Sequence, residues 1–294
     1  MTAATDAEPA PAAAVAAPGR RRRWPWPARI GAGLAVLLVL VALLAPLIAP
    51  HDPAAIALTE RLQGPSAAHW LGTDHLGRDI LSRLMHGATV SLGAVAVILT
   101  LIVVLGIGIG GLSGLIGGRV DAVIMRGCDM FLTIPTFVLA MFMVGVLGTG
   151  LVNVVLAIAL SHWAWYARLV RGLVLTLKER EYVLAARVAG ASRLRVFAEH
   201  ILPGVFAQLV VLLTLDIGHM ILHVAGLSFL GLGVTPPTAE WGVMIGDARD
   251  FIWTNPLLLV WPGLAILVTV AAFNLLGDAL RDALDPTLQA EGDA

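Results

Sequence analysis

One segment of the chain combines residue types that bind metal ions with a spacing that groups them. Asp216, His219 and His223 are separated by three and four residues, so on a helix they share one face. The sequence around them is apolar, and an ionisable side chain inside an apolar span is costly and usually faces a pathway or a partner. Imidazole suits Ni, Cu, Zn and Fe, and a carboxylate adds a harder oxygen ligand. This face therefore predicts a place that a metal ion visits transiently.

A second interpretation of the same face stays open. Its side chains can instead form hydrogen bonds with a neighbouring chain and never touch an ion. An incomplete ligand set fits the first interpretation, because a path must bind weakly enough to release what it carries. For the other residues that metals favour, structural, docking or packing roles are expected: His69, His75, Met130, Met141, Met143 and Cys128.

The composition places the elements that carry this face in a lipid bilayer. Of the 294 residues, 58% are apolar and 13% are charged, whereas a soluble domain has about 25% charged residues. The net charge of −1 argues against nucleic acid as a partner, and the single cysteine excludes an internal disulfide. An apolar helix of about 20 residues crosses the hydrocarbon core. We therefore predict an all-α, polytopic membrane protein whose six spans cover 30–49, 90–115, 120–147, 151–170, 205–232 and 257–276.

The basic residues indicate which way the chain is inserted. With six spans both termini share a side, and that side receives fifteen of the nineteen lysines and arginines. The positive-inside rule makes it the cytoplasm. We expect a disordered cytoplasmic tail with an arginine cluster over 1–29, a six-span domain over 30–288, and a short C-terminal tail over 289–294.

The basic segment 168–203 predicts a short helix–turn–helix outside the lipid. Ala185, Ala186 and Ala189 favour helix, Gly190 breaks the run, and Ser192 is placed to cap a second short helix that starts near Arg193. Pro203 then begins the next span, where its missing N–H is harmless. A plain amphipathic interfacial helix is the alternative.

This segment resembles the "EAA" cytoplasmic loop of permease subunits in bacterial ABC importers. The resemblance implies the type I permease fold, with a loop over 178–204 that docks into a separate ATPase. Leu184 stands where the family has glutamate, and Glu181 lies one turn earlier. The residues that the resemblance assigns to ATPase coupling are Glu181, Ala185, Ala186, Gly190, Ala191, Ser192 and Arg193.

Further strings resemble the subgroup that imports dipeptides, oligopeptides and nickel. They are HWLGTDHLGRD (69–79), LSFLGLG (227–233) with PP (236–237) and EWG (240–242), and AFNLLGDALRD (272–282) with DP (285–286). The resemblance implies a second permease chain, two ATPases, an external solute-binding protein and a location in the bacterial inner membrane. No enzyme activity or bound cofactor is expected, because the only lysine, Lys178, follows Leu177 and cannot belong to a phosphate loop. ATP is therefore used by the partner subunits.

The histidines of 216–223, together with SHWAWY (161–166), resemble the nickel permease of this subgroup. The resemblance implies Ni(II) as the transported substrate, either alone or with a small chelator. A dipeptide or oligopeptide cargo is the main alternative. A minor one is an intramembrane serine protease, since Gly111-Leu112-Ser113-Gly114 matches G-x-S-G. A secondary transporter would leave the loop at 178–204 without a role.

Overall fold

The computed structural model describes residues 24–284, and there the chain is helical apart from its loops. The residues before Trp24 and after Leu284 lie outside this range, as does most of the predicted N-terminal tail and all of the C-terminal one. Within the described range the α-helices are α1 (Trp26–Ile48), α2 (Ile80–Leu105), α3 (Gly111–Ile116), α4 (Gly118–Leu132), α5 (Thr136–Leu147), α6 (Leu151–Leu177), α7 (Glu181–Val188), α8 (Arg193–Val196), α9 (Leu202–Phe229), α10 (Trp241–Ala248) and α11 (Leu257–Leu284).

Two long helices contain a π-helical turn. Gly106–Gly110 joins α2 to α3, and Phe197–Ile201 joins α8 to α9. Each junction continues the helix, so Ile80–Ile116 and Arg193–Phe229 are single elements of 37 residues. Single π turns inside α-helices are frequent at functional sites.

The predicted spans match the helices to different degrees. Between residues 24 and 284, four helices are long and apolar enough to cross a membrane, and the number is five if the bent pair of α4 and α5 counts as one broken span. The remaining predicted span is α6. It is long enough, since its 27 residues measure about 40 Å along the axis, but it is less apolar than a typical membrane span. Its centre is the polar and aromatic stretch 161–166, so α6 matches the prediction by length rather than by apolar character.

The predicted span 120–147 is not one helix. It divides into α4 and α5, whose axes differ by 87°. Pro135 lies at the start of α5, and a proline disfavours helical geometry in the residue before it and removes one backbone donor. The prediction of a continuous third span is therefore wrong, and the proline explains why.

Other boundaries shift by up to ten residues, and the largest shift is that of the second span, whose helix begins at Ile80 rather than at 90. The first helix begins at Trp26 rather than at 30, with Pro27 in its first turn. The fifth span begins at Leu202 and ends at Phe229, because Gly231 has a φ of 78° and the chain turns there.

Glycines allow α6 to approach the helix made by α2 and α3. A Cβ added to Gly106 would lie 2.9 Å from the Cβ of Tyr166, and one added to Gly110 would lie 2.2 Å from the carbonyl oxygen of Ala167. In lipid there is no hydrophobic driving force between helices, so helices associate through close packing, which small residues allow. The π-helical turn Gly106–Gly110 is thus pressed against the middle of α6. On the other side of the molecule, α11 packs against α1 and α9.

The loops at one end of the helices are connected by buried arginine side chains and the groups that they contact. We call this the loop end; it comprises residues 49–79 and 230–256. Arg78 pairs with Asp74 at 2.6 Å and with Asp247 of α10 at 3.2 Å. Arg83 donates to the carbonyl oxygens of Pro53 and Pro237. These contacts join the two segments of the loop end, which are far apart in sequence.

The start of α10 is fixed by a buried carboxylate. Glu240 accepts hydrogen bonds from the Val243 amide at 3.0 Å and the Ser91 hydroxyl at 2.9 Å. The indole of Trp241 donates to the carbonyl of Leu84. The strings 69–79 and 240–242, which carry the family resemblance, therefore build one packed region.

The glycine contacts give a prediction about stability. Gly110→Ala should lower the melting temperature of the purified protein, because the new methyl group meets the backbone of α6. Overpacking of this kind costs about 1–3 kcal/mol. Thermal unfolding in detergent measures the change.

Gly108→Ala is the matched control, since it lies in the same π-helical turn and an added Cβ would meet nothing within 4 Å. Equal melting temperatures for the two variants would contradict the close approach at Gly110.

Candidate functional site

Asp216 lies near the middle of α9 and binds two side chains of α6. The hydroxyl of Tyr166 donates to its carboxylate at 3.0 Å. The Nε2 atom of His162 lies 3.3 Å from the same oxygen. Tyr166 is fully buried and the side chain of Asp216 is 15% exposed. A carboxylate at this depth needs such donors, because a buried charge without partners is very costly.

The two histidines of α9 follow Asp216 toward the loop end. His219 places Nδ1 3.4 Å from the other oxygen of Asp216, and its side chain is 72% exposed. His223 places Nδ1 2.7 Å from the carbonyl oxygen of His219. Its ring lies 5.8 Å from that of Phe137, in α5. Asp216, His219 and His223 thus lie on one face of α9, as their spacing predicts.

His162 and Tyr166 are the members of this cluster that the spacing rule missed. They share a helix face at i and i+4, and both contact Asp216 of a different helix. The stretch 161–166 resembled a nickel permease in sequence, but no periodicity indicates which of its residues meets α9. Pairing between α6 and α9 depends on their packing, which sequence spacing does not encode.

The remaining candidates have ordinary surroundings. Ser161 contacts the sulfur of Met143 at 3.6 Å, and Cys128 is buried beside Ala164 and Ala167. Met130 and Met141 are exposed on the helix surface. Each fits packing or a lipid-facing position.

Ser113 of the G-x-S-G string is not arranged as a nucleophile. Its hydroxyl donates to Asp121 at 2.5 Å, and both oxygens of Asp121 accept from the guanidinium of Arg171. Within residues 24–284, no histidine forms a hydrogen bond with Ser113. A serine protease needs a base beside the nucleophile, so the geometry disfavours that alternative.

The basic segment forms the predicted helix–turn–helix. After α7, Gly190 adopts a φ of 88°, a conformation that suits glycine. Ser192 then caps α8 by accepting from the Arg195 amide at 3.3 Å. Val183 and Val196 are buried in the core of the helix bundle. They fix the segment at the end of the molecule opposite the loop end, which we call the basic end.

The predicted coupling residues are mostly on the surface of this segment. Ala186 and Ala191 are half-buried against the core. Exposed are Glu181, Ala185, Gly190, Ser192 and Arg193. Large apolar side chains are exposed as well, namely Tyr182, Leu184, Val188 and Leu194. A basic segment that exposes this much apolar surface suits docking onto a protein.

A third group of ionisable side chains lies at the loop end. Among residues 24–284, His51, His69 and Asp79 form a group whose ligand atoms all lie within 4.8 Å of one another. Asp79 caps α2 and accepts from the amide and hydroxyl of Ser82. Burial alone would raise the pKa of Asp79, but hydrogen bonds from Ser82 and His69 bring it below its usual value. The carboxylate is therefore ionised at neutral pH.

Two family models match the sequence. Residues 106–290 match the "Binding-protein-dependent transport system inner membrane component". Residues 26–65 match the "N-terminal TM domain of oligopeptide transport permease C". Together these matches include the first part of the loop that follows α1, Asp216 with the residues around it, and the basic segment.

Individual relatives are described as transport system permease proteins. The nickel transport system permease protein NikC of Escherichia coli K12 is 64% identical over 255 residues, which are 87% of this chain and 92% of that protein. The probable D,D-dipeptide transport system permease protein DdpC of the same strain is 45% identical over 87% of this chain and 86% of that protein. The glutathione permease protein GsiD of Pectobacterium atrosepticum is 44% identical over 89% and 87%.

The Asp216 cluster gives a prediction that does not depend on cargo. Tyr166→Phe should lower the free energy of unfolding by about 1.5–3 kcal/mol, the usual contribution of a hydrogen bond to a charged group. The loss follows because Asp216 then has one donor fewer in an apolar surrounding. Thermal unfolding of the purified protein measures it.

Tyr182→Phe is the control, because the chain has two tyrosines and Tyr182 is 52% exposed. If both variants melt like the parent protein, the bond between Tyr166 and Asp216 does not stabilise the fold.

Proposed function

Because the chain belongs to the family of binding-protein-dependent transport system inner membrane components, we propose that it is the permease subunit of an ATP-driven importer for nickel. Members of this family are inner-membrane transport components, so the chain is a multi-pass membrane protein and not an enzyme. The cargo is Ni(II), either alone or as a chelate with a small molecule. Identity to the nickel permease is 64%, against 45% for the dipeptide permease, which favours nickel over the peptide alternative.

The observation that carries the proposal is the state of the two histidines on α9. A carbonyl oxygen only accepts, so His223 donates through Nδ1 to the carbonyl of His219, and Nε2 then has a lone pair whenever the ring is neutral. His219 directs Nδ1 toward the Asp216 carboxylate, which leaves its Nε2 free in the same way. Two imidazoles at i and i+4 thus offer metal-binding nitrogens on one helix face.

Asp216 acts in this proposal by orienting His219. Its oxygens already face the Tyr166 hydroxyl, His162 and His219. Histidines that bind metals commonly donate their second nitrogen to a carboxylate, which fixes the tautomer and the ring. We therefore propose His219 and His223 as the transient ligands, with Asp216 as the carboxylate that positions His219 and the carbonyl of His219 as the group that positions His223.

Two histidines are a weak site, and weakness suits transport. Nickel leaves such a site readily, since water or a chelator fills its other coordination positions. One chain forms only one side of the proposed path, so a second chain must form the other side. His219 is largely exposed on this chain, so its exposed face is available to a second permease, with which we propose that the chain forms the path.

Energy is supplied at the basic end. We propose that α7 and α8 dock into one of two separate ATPase subunits through Val188, Leu194 and the surrounding coupling residues. Closure of the ATPases moves this segment, and the π-helical turn Phe197–Ile201 joins it directly to α9. The aromatic ring of Phe197 packs where a Cβ on Gly111 would lie. A shift of α8 is therefore transmitted both to α9 and to α3.

The orientation follows from the same assignment. The basic end, where the described chain begins with α1 and ends with α11, faces the cytoplasm, where ATP is available. The loop end faces outward, where an extracytoplasmic solute-binding protein delivers the cargo.

The cargo is tested by uptake in cells that lack this chain. Radioactive nickel uptake at limiting nickel should fall to background, whereas dipeptide uptake should be unchanged. Returning the gene restores nickel uptake, and returning the His219→Ala/His223→Ala form should leave it at least several-fold lower, because the path ligands are gone.

His86→Ala is the matched control, because it removes an imidazole from α2 that bonds the carbonyl of Ser82 and lies outside the proposed path. Loss of dipeptide uptake with normal nickel uptake would refute the nickel assignment. Normal uptake by the double variant would instead make the two histidines structural.

The docking role of α7 is tested by a charge at an exposed position. Val188→Asp should abolish copurification of the ATPase subunits and nickel uptake, because a carboxylate replaces an apolar contact. The fold should persist, since Val188 is 90% exposed. Affinity purification from membranes, followed by quantification of each subunit, measures the change.

Trp253→Asp is the control, because Trp253 is 92% exposed and lies at the loop end. Equal ATPase recovery with Val188→Asp and with the parent chain would show that α7 is not the docking element.

A further inference from the structure

We infer that His51, His69 and Asp79 form a binding site for a divalent first-row metal ion at the loop end. The site is separate from the histidines of α9 and lies on segments that precede α2. Its role as the place where the permease first receives nickel rests on the proposed function. Metal binding itself does not, because it follows from the donor atoms alone.

The distances suit a metal ion. The Oδ1 atom of Asp79 lies 2.9 Å from Nδ1 of His69 and 3.7 Å from Nδ1 of His51. Nitrogen and oxygen ligands lie about 2.0–2.2 Å from such metals, so two adjacent ligands are about 3.0–3.4 Å apart. The observed separations fall on either side of this range. The ligand atoms all lie within 4.8 Å of one another, so a movement of His51 toward Asp79 and His69 would complete the triangle.

The surroundings of Asp79 leave one oxygen available. Its Oδ2 atom accepts from the amide of Ser82 at 2.8 Å and from the hydroxyl at 2.7 Å. Its Oδ1 atom faces the two imidazoles. The carboxylate is 2% exposed, so its position is set by α2 and not by solvent.

His69 has the second partner that a metal-binding histidine usually has. Its Nε2 atom lies 3.4 Å from the carboxylate of Glu60. When Nδ1 binds a metal, Nε2 carries the proton and donates it to Glu60, which is the common carboxylate–histidine–metal arrangement. Without a metal, both ring nitrogens of His69 face carboxylate oxygens, and a neutral ring can donate to only one of them.

His51 has no such anchor for its ring. Its backbone amide donates to the Ser82 hydroxyl at 3.0 Å, but Nδ1 is too far from Asp79 for a hydrogen bond. The ring lies over that of His69, with centroids 4.7 Å apart, and its side chain is 41% exposed. His51 is therefore positioned to close on an ion that arrives from solvent.

The ligand set indicates the class of ion and its lability. Imidazole nitrogens with one carboxylate suit Ni, Co, Zn and Fe rather than Ca or Mg. Three protein ligands leave the other coordination positions to water or to a small chelator. Such a site can take an ion from a carrier and pass it on.

The test measures metal binding by the full chain, purified in detergent without a polyhistidine tag. Ni(II) binding is followed by equilibrium dialysis, and the absorption bands of Co(II) report nitrogen ligands. All proteins carry His219→Ala/His223→Ala, so that the α9 histidines do not contribute. In this background His51→Ala should lose one equivalent of Ni(II) and the Co(II) bands.

Two further variants separate this result from general damage. Glu60→Gln should weaken Ni(II) binding by about 10- to 100-fold without abolishing it, as expected for a carboxylate behind a ligand. His75→Ala should bind like the parent, because His75 stacks on Phe251 outside the triad. Thermal unfolding verifies that each variant is folded.

The inference is overturned if His51→Ala binds as much Ni(II), with the same affinity, as the parent. It is also overturned if neither protein binds Ni(II) or Co(II), which would make the cluster a hydrogen-bonded support for the loop. The outcome is independent of uptake. Binding at this site with no effect of gene deletion on nickel uptake would refute the proposed cargo and leave the site standing.

Discussion

The position of Asp216 in the hydrocarbon region is the constraint on which the centre of the molecule depends. A carboxylate there is tolerated only with donors around it, and α6 supplies them through Tyr166 and His162. Tyr166 in turn lies against Gly106, where a larger residue would not fit. The pairing of α6 with α9 and the glycine-rich turn after α2 therefore both serve to accommodate Asp216, and Asp216 in turn orients His219.

Charged side chains elsewhere in the molecule are likewise surrounded by partners of opposite charge or by hydrogen-bond acceptors. Arg78 and Arg83 are almost fully buried at the loop end, where Asp74, Asp247 and backbone carbonyls surround them. At the basic end Arg171 is paired with Asp121, and Arg168 with Asp129. Ion pairs between side chains thus hold both ends together outside the hydrocarbon core. The exposed apolar surface of α7 and α8 stands out because nothing in the described chain covers it.

Sequence predicts well what is decided locally. Gly190 and Ser192 are recognisable because a turn and a helix cap depend on one or two residues. The shared face of Asp216, His219 and His223 follows from helical geometry alone. Pro135 carried a readable signal for the break between α4 and α5, but the apolar character of 120–147 masked it. The partners of Asp216 could not be predicted from spacing, because His162 and Tyr166 reach it only through the packing of α6 on α9.

The two histidine groups differ in a way that bears on transport. At the loop end, Asp79 is a prospective ligand and is held by Ser82, so the metal site inferred there is prearranged apart from His51. In the membrane, Asp216 is occupied by donors and only the imidazoles of α9 remain free. On the proposed path, a cation that moves from the first group to the second loses its carboxylate ligand and is again bound by two imidazoles. In the path proposed above, the membrane group has no anionic ligand and so holds a divalent ion less strongly, which suits release toward the cytoplasm.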